Sequence, residues 1–160
     1  MKKIIATAML CFLYFLSLHN LQAQEFYNGP KTLNAGLFFG YGTGVGASFD
    51  ARVHEYLSVG AMGAFTSQNY IGGTRSSVSL SARGAFHAGK LINQAMQTNN
   101  EDFDPYAGIL VGLRAESYLQ NQTKGLVGIF VGGRYYFQSK LGIYMELGAP
   151  YSSVGITYKL

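Results

Sequence analysis

At 160 residues the chain has room for one domain, and its single cysteine, Cys11, excludes a disulfide-stapled secreted fold. Charged residues make up only 12% and the formal net charge is +4, with no basic stripe interleaved with aromatics, so nucleic acid is not an expected partner. The 21 glycines are many for a chain with no apolar run beyond the first that is long enough to span a membrane as a helix.

That first run follows Lys2 and Lys3, continues as IIATAMLCFLYFLSL, and meets Leu21-Gln22-Ala23-Gln24. A basic start, an apolar middle and a small residue before a polar flank describe a secretory signal peptide, cut after Ala23. The expected organisation is therefore a leader over 1–23 and one domain over 24–160. An uncleaved anchor helix is the alternative. Cys11 sits in the middle of the apolar stretch, so it does not mark a lipoprotein, and the mature chain has no cysteine. Loss of Lys2 and Lys3 leaves a charge of +2.

After a lead-in broken by Asn28-Gly29-Pro30, the chain falls into runs with a period of two. In the first, Leu33, Ala35, Leu37, Phe39 and Tyr41 share one face, and Asn34, Gly36, Phe38 and Gly40 the other. In the second, Val45, Ala47, Phe49, Ala51 and Val53 alternate with Gly46, Ser48, Asp50 and Arg52. A register slip of one residue there would exchange the charges with the apolar set. The third run, Leu57 to Thr66, directs Leu57, Val59, Ala61 and Phe65 one way, and a polar loop is expected over 67–76. The fourth sets Val78, Leu80, Ala82 and Phe86 against Ser77, Ser79, Ser81, Arg83 and His87. A long connection, 89–104, precedes Pro105 and the fifth run, where Ala107, Ile109, Val111 and Leu113 oppose Tyr106, Gly108, Leu110, Gly112 and Arg114. A loop over 118–124 leads to the last three runs, GLVGIFVGGRYYF, LGIYMELG and SVGITYKL.

Eight strands, apolar on one parity and rich in glycine, hydroxyls and charge on the other, predict an all-β, antiparallel, up-and-down barrel that crosses a bilayer. An even count returns both ends to one side, and closure leaves no unpaired edge in hydrocarbon. Parity predicts three-residue turns at His54-Glu55-Tyr56 and Gln138-Ser139-Lys140 on the periplasmic side, with the connections at 42–44, 67–76, 118–124 and 148–151 outside. The 89–104 connection breaks the pattern, since it is the longest and falls on the periplasmic side.

The signal peptide, the strands EYLSVGAMGAF and DPYAGILVGLR, the run GGRYYF…KLGIYMELG and the terminal VGITYKL together resemble the small eight-stranded outer-membrane barrels of Gram-negative bacteria. The resemblance covers the mature chain. It implies outer-membrane localisation, lipid as the surrounding partner, and insertion by the barrel-assembly machinery. Tyr158 and Leu160 would form the C-terminal assembly signal, with Leu where Phe is more usual.

Eight strands enclose a space that side chains fill. Asp50, Arg52, Arg83, Arg114, Glu116, Arg134, Tyr144 and Glu146 all fall on the inward parity, with His87 and Lys159, and predict an ion-pair network that plugs the lumen. The turn register places Tyr144 across from Arg134 and Glu146 on the diagonal. The expected pair is Arg134–Glu146, with Tyr144 on the guanidinium. Tyr41, Phe65, Phe86, Tyr135 and Phe137, with Tyr158, predict an aromatic girdle at the headgroups. No cofactor or metal is expected, because cysteine is absent and His54 and His87 lie far apart in sequence. No serine forms a recognisable nucleophile motif with a histidine and an acid, so the chain is not expected to be an enzyme. The expected role is structural or interactive, with a protein partner in the outer membrane. A narrow solute or ion pore is the alternative, followed by a lipid-modifying enzyme and by a soluble lipocalin-like barrel with its apolar parity inward.

Overall fold

The computed structural model describes residues 29–71, 73–97, 102–118 and 120–160. The leader, its cleavage point and Cys11 lie outside the described residues.

Eight antiparallel strands close into one barrel in sequence order. They are β1 (Lys31–Gly40), β2 (Gly42–His54), β3 (Leu57–Tyr70), β4 (Gly73–His87), β5 (Phe103–Tyr118), β6 (Gln120–Tyr136), β7 (Leu141–Ala149) and β8 (Ser152–Lys159). Closure runs through β1 and β8, from Thr32↔Lys159 to Phe39↔Ser152. This seam places Gly36 opposite Gly155, where a Cβ on either would collide with the facing backbone.

Parity decides the faces as the alternation requires. Leu80, Ile109, Val127 and Ile129 point outward, at 68%, 66%, 78% and 66% exposure, whereas Asn34, Asp50, Arg83 and Arg134 point inward and are buried. In water such a surrounding apolar band would be an aggregation surface; in hydrocarbon it is the solvated face. A soluble barrel with its apolar parity inward is the reverse of this arrangement.

Four expectations about connections need correction. The 42–44 segment is the start of β2, paired as Gly40↔Gly42, Phe39↔Thr43 and Phe38↔Gly44, and the turn lies at Tyr41. The 67–76 segment is not a loop, because β3 and β4 stay paired through Gln68↔Arg75 and Asn69↔Thr74. The 118–124 segment likewise continues the β5–β6 ladder to Tyr118↔Gln120. Polar residues on both faces look like loop by composition, yet a hairpin extending beyond hydrocarbon can be wetted on both faces and remain paired. At the other end, His54 pairs with Leu57 after a register shift between Arg52 and His54. The expected three-residue turn is therefore a two-residue turn, Glu55-Tyr56, with Val53 bulged. The Gln138-Ser139-Lys140 turn agrees with the observed register, in which Tyr136 pairs with Gly142 and the Gln138 N–H donates to Leu141 O at 3.1 Å.

The 89–104 connection contains one helix, α1 (Gly89–Met96), and its last two residues belong to β5. Gln97 ends the helix in the left-handed conformation (φ 52°), its N–H bonded to Asn93 O. Lys90 on α1 reaches Glu55 in the β2–β3 turn at 2.7 Å, so the helix is tethered across the mouth that also holds both ends of the barrel. We call this the terminal mouth and the opposite one the distal mouth.

Candidate functional site in the lumen

Strand β5 shows how the lumen is layered. From the terminal to the distal mouth its inward positions are Asp104, Tyr106, Gly108, Leu110, Gly112, Arg114 and Glu116. Strand β6 matches it with Arg134, Gly132, Phe130, Gly128, Leu126 and Lys124. Charges therefore occupy both ends, and apolar groups occupy the middle.

The terminal half holds a chain of alternating charge. Glu146 pairs with Arg83 at 2.5 Å, and Arg83 with Asp50 at 3.0 Å. Asp50 pairs with Arg134 at 2.5 Å, Arg134 with Asp104 at 3.4 Å, and Asp104 with Arg52 at 3.1 Å. Three guanidinium groups thus face three carboxylates, and the charges cancel. Neutral donors complete the network. Tyr106 donates to Glu146 at 2.8 Å, Asn34 donates to Ser48 at 2.9 Å and Asp50 at 3.2 Å, and Arg134 donates to Asn34 at 3.3 Å. Arg134 also stacks on the Tyr106 ring at 4.4 Å, and Arg83 on Phe130 at 4.2 Å.

The expected Arg134–Glu146 pair is not made, although the register behind it is right: Arg134 faces Tyr144 and Glu146 faces Gly132. Glu146 lies in the space over Gly132, where a Cβ would stand 2.9 Å from its Cγ, and Arg83 and Tyr106 take its oxygens. Arg134 instead crosses the lumen to β2. Tyr144 is buried beside the network, and the guanidinium stacks on Tyr106, not on Tyr144. Side chains in a narrow barrel reach across the axis, so the nearest partner need not be on the adjacent strand.

The middle layer consists of Phe38, Met62, Ala64, Leu110, Leu126, Phe130 and Tyr151, all buried. Glycines on neighbouring strands make room for its rings. A Cβ at Gly46 would stand 2.8 Å from the Phe38 ring, and one at Gly108 would stand 2.5 Å from Phe130. Beyond this layer Glu116 meets Arg75, Arg114 and, at 3.4 Å, Lys124. Arg114 lies over the Tyr41 ring at 3.2 Å, and Tyr41 packs edge-on against Tyr151 at 5.6 Å.

Tyr41 therefore leaves the expected girdle. It sits at the apex between Gly40 and Gly42, where a φ of 112° at Gly42 breaks the outward parity and lets the ring cover the distal mouth. Phe65, Phe86, Tyr135, Phe137 and Tyr158 are exposed on the outer face, and Tyr56 stacks on Phe86. Leu160 is exposed at the end of the chain, its N–H bonded to Lys31 O at 2.9 Å.

The terminal mouth also holds a cup of about 680 Å³ between α1 and the charge network, and its wall includes Arg52, Ser58, His87 and Asp104. Ser58 Oγ is 2.8 Å from His87 Nε2, and His87 Nδ1 is 2.9 Å from Asp104 Oδ1. Sequence reasoning missed this grouping because Asp104 was placed in a connection. The one available signal was parity, which assigns Asp104 to the same face as Tyr106 and His87 to the face of Arg83.

No family model matches the chain, and no curated protein matches it. Solved structures do. Over 82% of its length the chain superposes on the N-terminal β-barrel domain of Pseudomonas aeruginosa OprF, with a TM-score of 0.56, 14% identity and 97% of that chain covered. A de novo designed transmembrane β-barrel matches over the same share, with a TM-score of 0.55, 14% identity and 96% covered. Neisserial surface protein A follows, with a TM-score of 0.52, 10% identity and 94% covered. The fold is that of the small eight-stranded outer-membrane barrels. At these identities the likeness is one of fold, and fold alone assigns no activity.

Proposed function

We propose that the protein is an integral outer-membrane barrel with a sealed lumen, and that its role in the envelope is structural or interactive. The observation that carries this reading is the apolar layer of Phe38, Met62, Leu110, Leu126, Phe130 and Tyr151 between two charged clusters. Ions crossing the barrel would have to shed water against rings and methyl groups there, and the Tyr151 hydroxyl is already bonded to Ser79.

The outward apolar band and the exposed aromatics Phe65, Phe86, Tyr135, Phe137 and Tyr158 support lipid as the surrounding medium, with the rings at the headgroups. The terminal mouth is the periplasmic one, as short turns and chain ends are in such barrels. Tyr158 and Leu160, outward on the closing strand, serve as the assembly signal read by the barrel-assembly machinery. The distal hairpins are paired nearly to their tips, so contact with a partner runs along the barrel wall as well as at the loops.

The test is insertion. Refolded mature protein should enter phospholipid vesicles and migrate faster on a gel unheated than heated. Protein that stays soluble and monomeric without detergent would overturn the membrane assignment.

A further inference from the structure

The cup at the terminal mouth presents a hydroxyl, an imidazole and a carboxylate in series. Ser58 comes from β3, His87 from the end of β4 and Asp104 from the start of β5. The three converge because antiparallel pairing sets Ser58 beside Ala85, one inward position from His87, and sets His87 opposite Tyr106, one inward position from Asp104. We propose that Ser58, His87 and Asp104 form a nucleophilic triad that hydrolyses small carboxylic esters admitted to this cup.

The triad calls for one imidazole tautomer. Asp104 places Oδ1 and Oδ2 at 2.9 and 3.0 Å from Nδ1, and two lone-pair-bearing atoms at that separation favour a proton between them. Arg52 Nη2 also lies 2.9 Å from Nδ1, and the triad takes the tautomer that the carboxylate favours, with the hydrogen on Nδ1 toward Asp104 and Nε2 accepting from the Ser58 hydroxyl at 2.8 Å. This is the arrangement a serine nucleophile needs: a base in reach of Oγ, oriented by an acid behind it. Arg52 stands across the β2–β3 ladder from Ser58, and its Nη2 donates to Asp104 at 3.1 Å. Its positive charge on the strand beside Ser58 is of the sign that would stabilise an oxyanion there.

The step balances without an added oxidant or metal. Ser58 Oγ bonds to the ester carbonyl carbon while its proton passes to His87 Nε2. The tetrahedral oxyanion then expels the alkoxide, which takes that proton as the ester C–O bond breaks. Water repeats the sequence on acyl-Ser58 and releases the acid. The cup volume falls in the range of small-molecule sites. Its wall includes Lys159, whose ammonium lies over Tyr136 at 3.7 Å and pairs with no carboxylate among the described residues. An ester bearing an anionic group suits that cation.

The test uses the full mature protein in lipid, with the fast-migrating gel form confirming fold for each variant. A fluorophosphonate probe should label Ser58, and mono-4-nitrophenyl succinate should be cleaved faster than 4-nitrophenyl acetate. Ser58→Ala should abolish both labelling and turnover, and His87→Gln should lower turnover by roughly 10²–10⁴-fold. Folded wild-type protein that takes no label at Ser58, or a turnover that Ser58→Ala leaves intact, would overturn the proposal. A second variant guards against loss of fold in His87→Gln. Ser58→Cys puts a single cysteine into the mature chain, and its alkylation should stay fast well below the free-thiol pKa of about 8.5. An alkylation profile like that of a free thiol would also overturn it.

Discussion

The two ends of the lumen solve the problem of interior charge differently. At the terminal end Arg52, Arg83 and Arg134 alternate with Asp104, Asp50 and Glu146, and the sum is zero. At the distal end Arg75, Arg114 and Lys124 surround Glu116, an excess of two positive charges among the described residues. Exposure accounts for the contrast. The Arg83 and Arg134 side chains are 1% and 2% exposed, so each needs carboxylates in contact, whereas Arg75 and Lys124 are 29% and 49% exposed and water shares their charge. Neutrality is demanded where solvent is excluded and relaxed where it is not.

The largest effect should come from breaking the neutral chain at its centre. Asp50 is the carboxylate between two buried arginines, and Asp50→Ala should destabilise the folded barrel by roughly 3–5 kcal/mol, read as the urea midpoint of unfolding from lipid. A change near zero would mean that water fills the terminal half. Next comes the apolar layer that separates the two clusters. Gly108→Val would drive a side chain into the Phe130 ring and should cost about 1–3 kcal/mol by the same assay.

Glu116→Gln should cost less, roughly 1 kcal/mol, and the loss should shrink as salt rises. The Asp50→Ala loss should barely respond to salt. Equal salt dependence of the two variants would remove the contrast drawn here. The smallest effect belongs to the tether of α1, outside the barrel. A hydrogen bond from Lys90 holds the Glu55 carboxyl below its ordinary range. A lowered folded value means that the contribution is present above the unfolded pKa of about 4.3 and fades as pH falls through the folded one. Proteolysis within α1 should accordingly quicken in acid, and Glu55→Gln should flatten that response.

Much of this architecture can be read from alternation. The parity of Asp50 and Arg52 within VGASFDARV assigns both faces of β2, and the same reading places Arg83, Arg134 and Glu146 indoors. Which indoor residue meets which was not legible. Register relates neighbours on adjacent strands, but Arg134 finds Asp50 across the lumen, at a sequence separation of 84. Asp104 escaped because a long polar connection hid the start of β5. Tyr41 escaped because a glycine with positive φ, not alternation, directs its ring. The paired hairpin tips escaped because polarity on both faces looks like loop whether or not the backbone is paired.

The central claim is that the apolar layer seals the barrel between its two charged ends. Single-channel recording in a planar bilayer tests it most directly, with wild-type protein beside a Phe38→Ala, Leu126→Ala, Phe130→Ala variant that empties the layer. The account predicts no conductance from folded wild-type protein and discrete conductance from the variant. Steady conductance from wild-type protein that the variant leaves unchanged would contradict it.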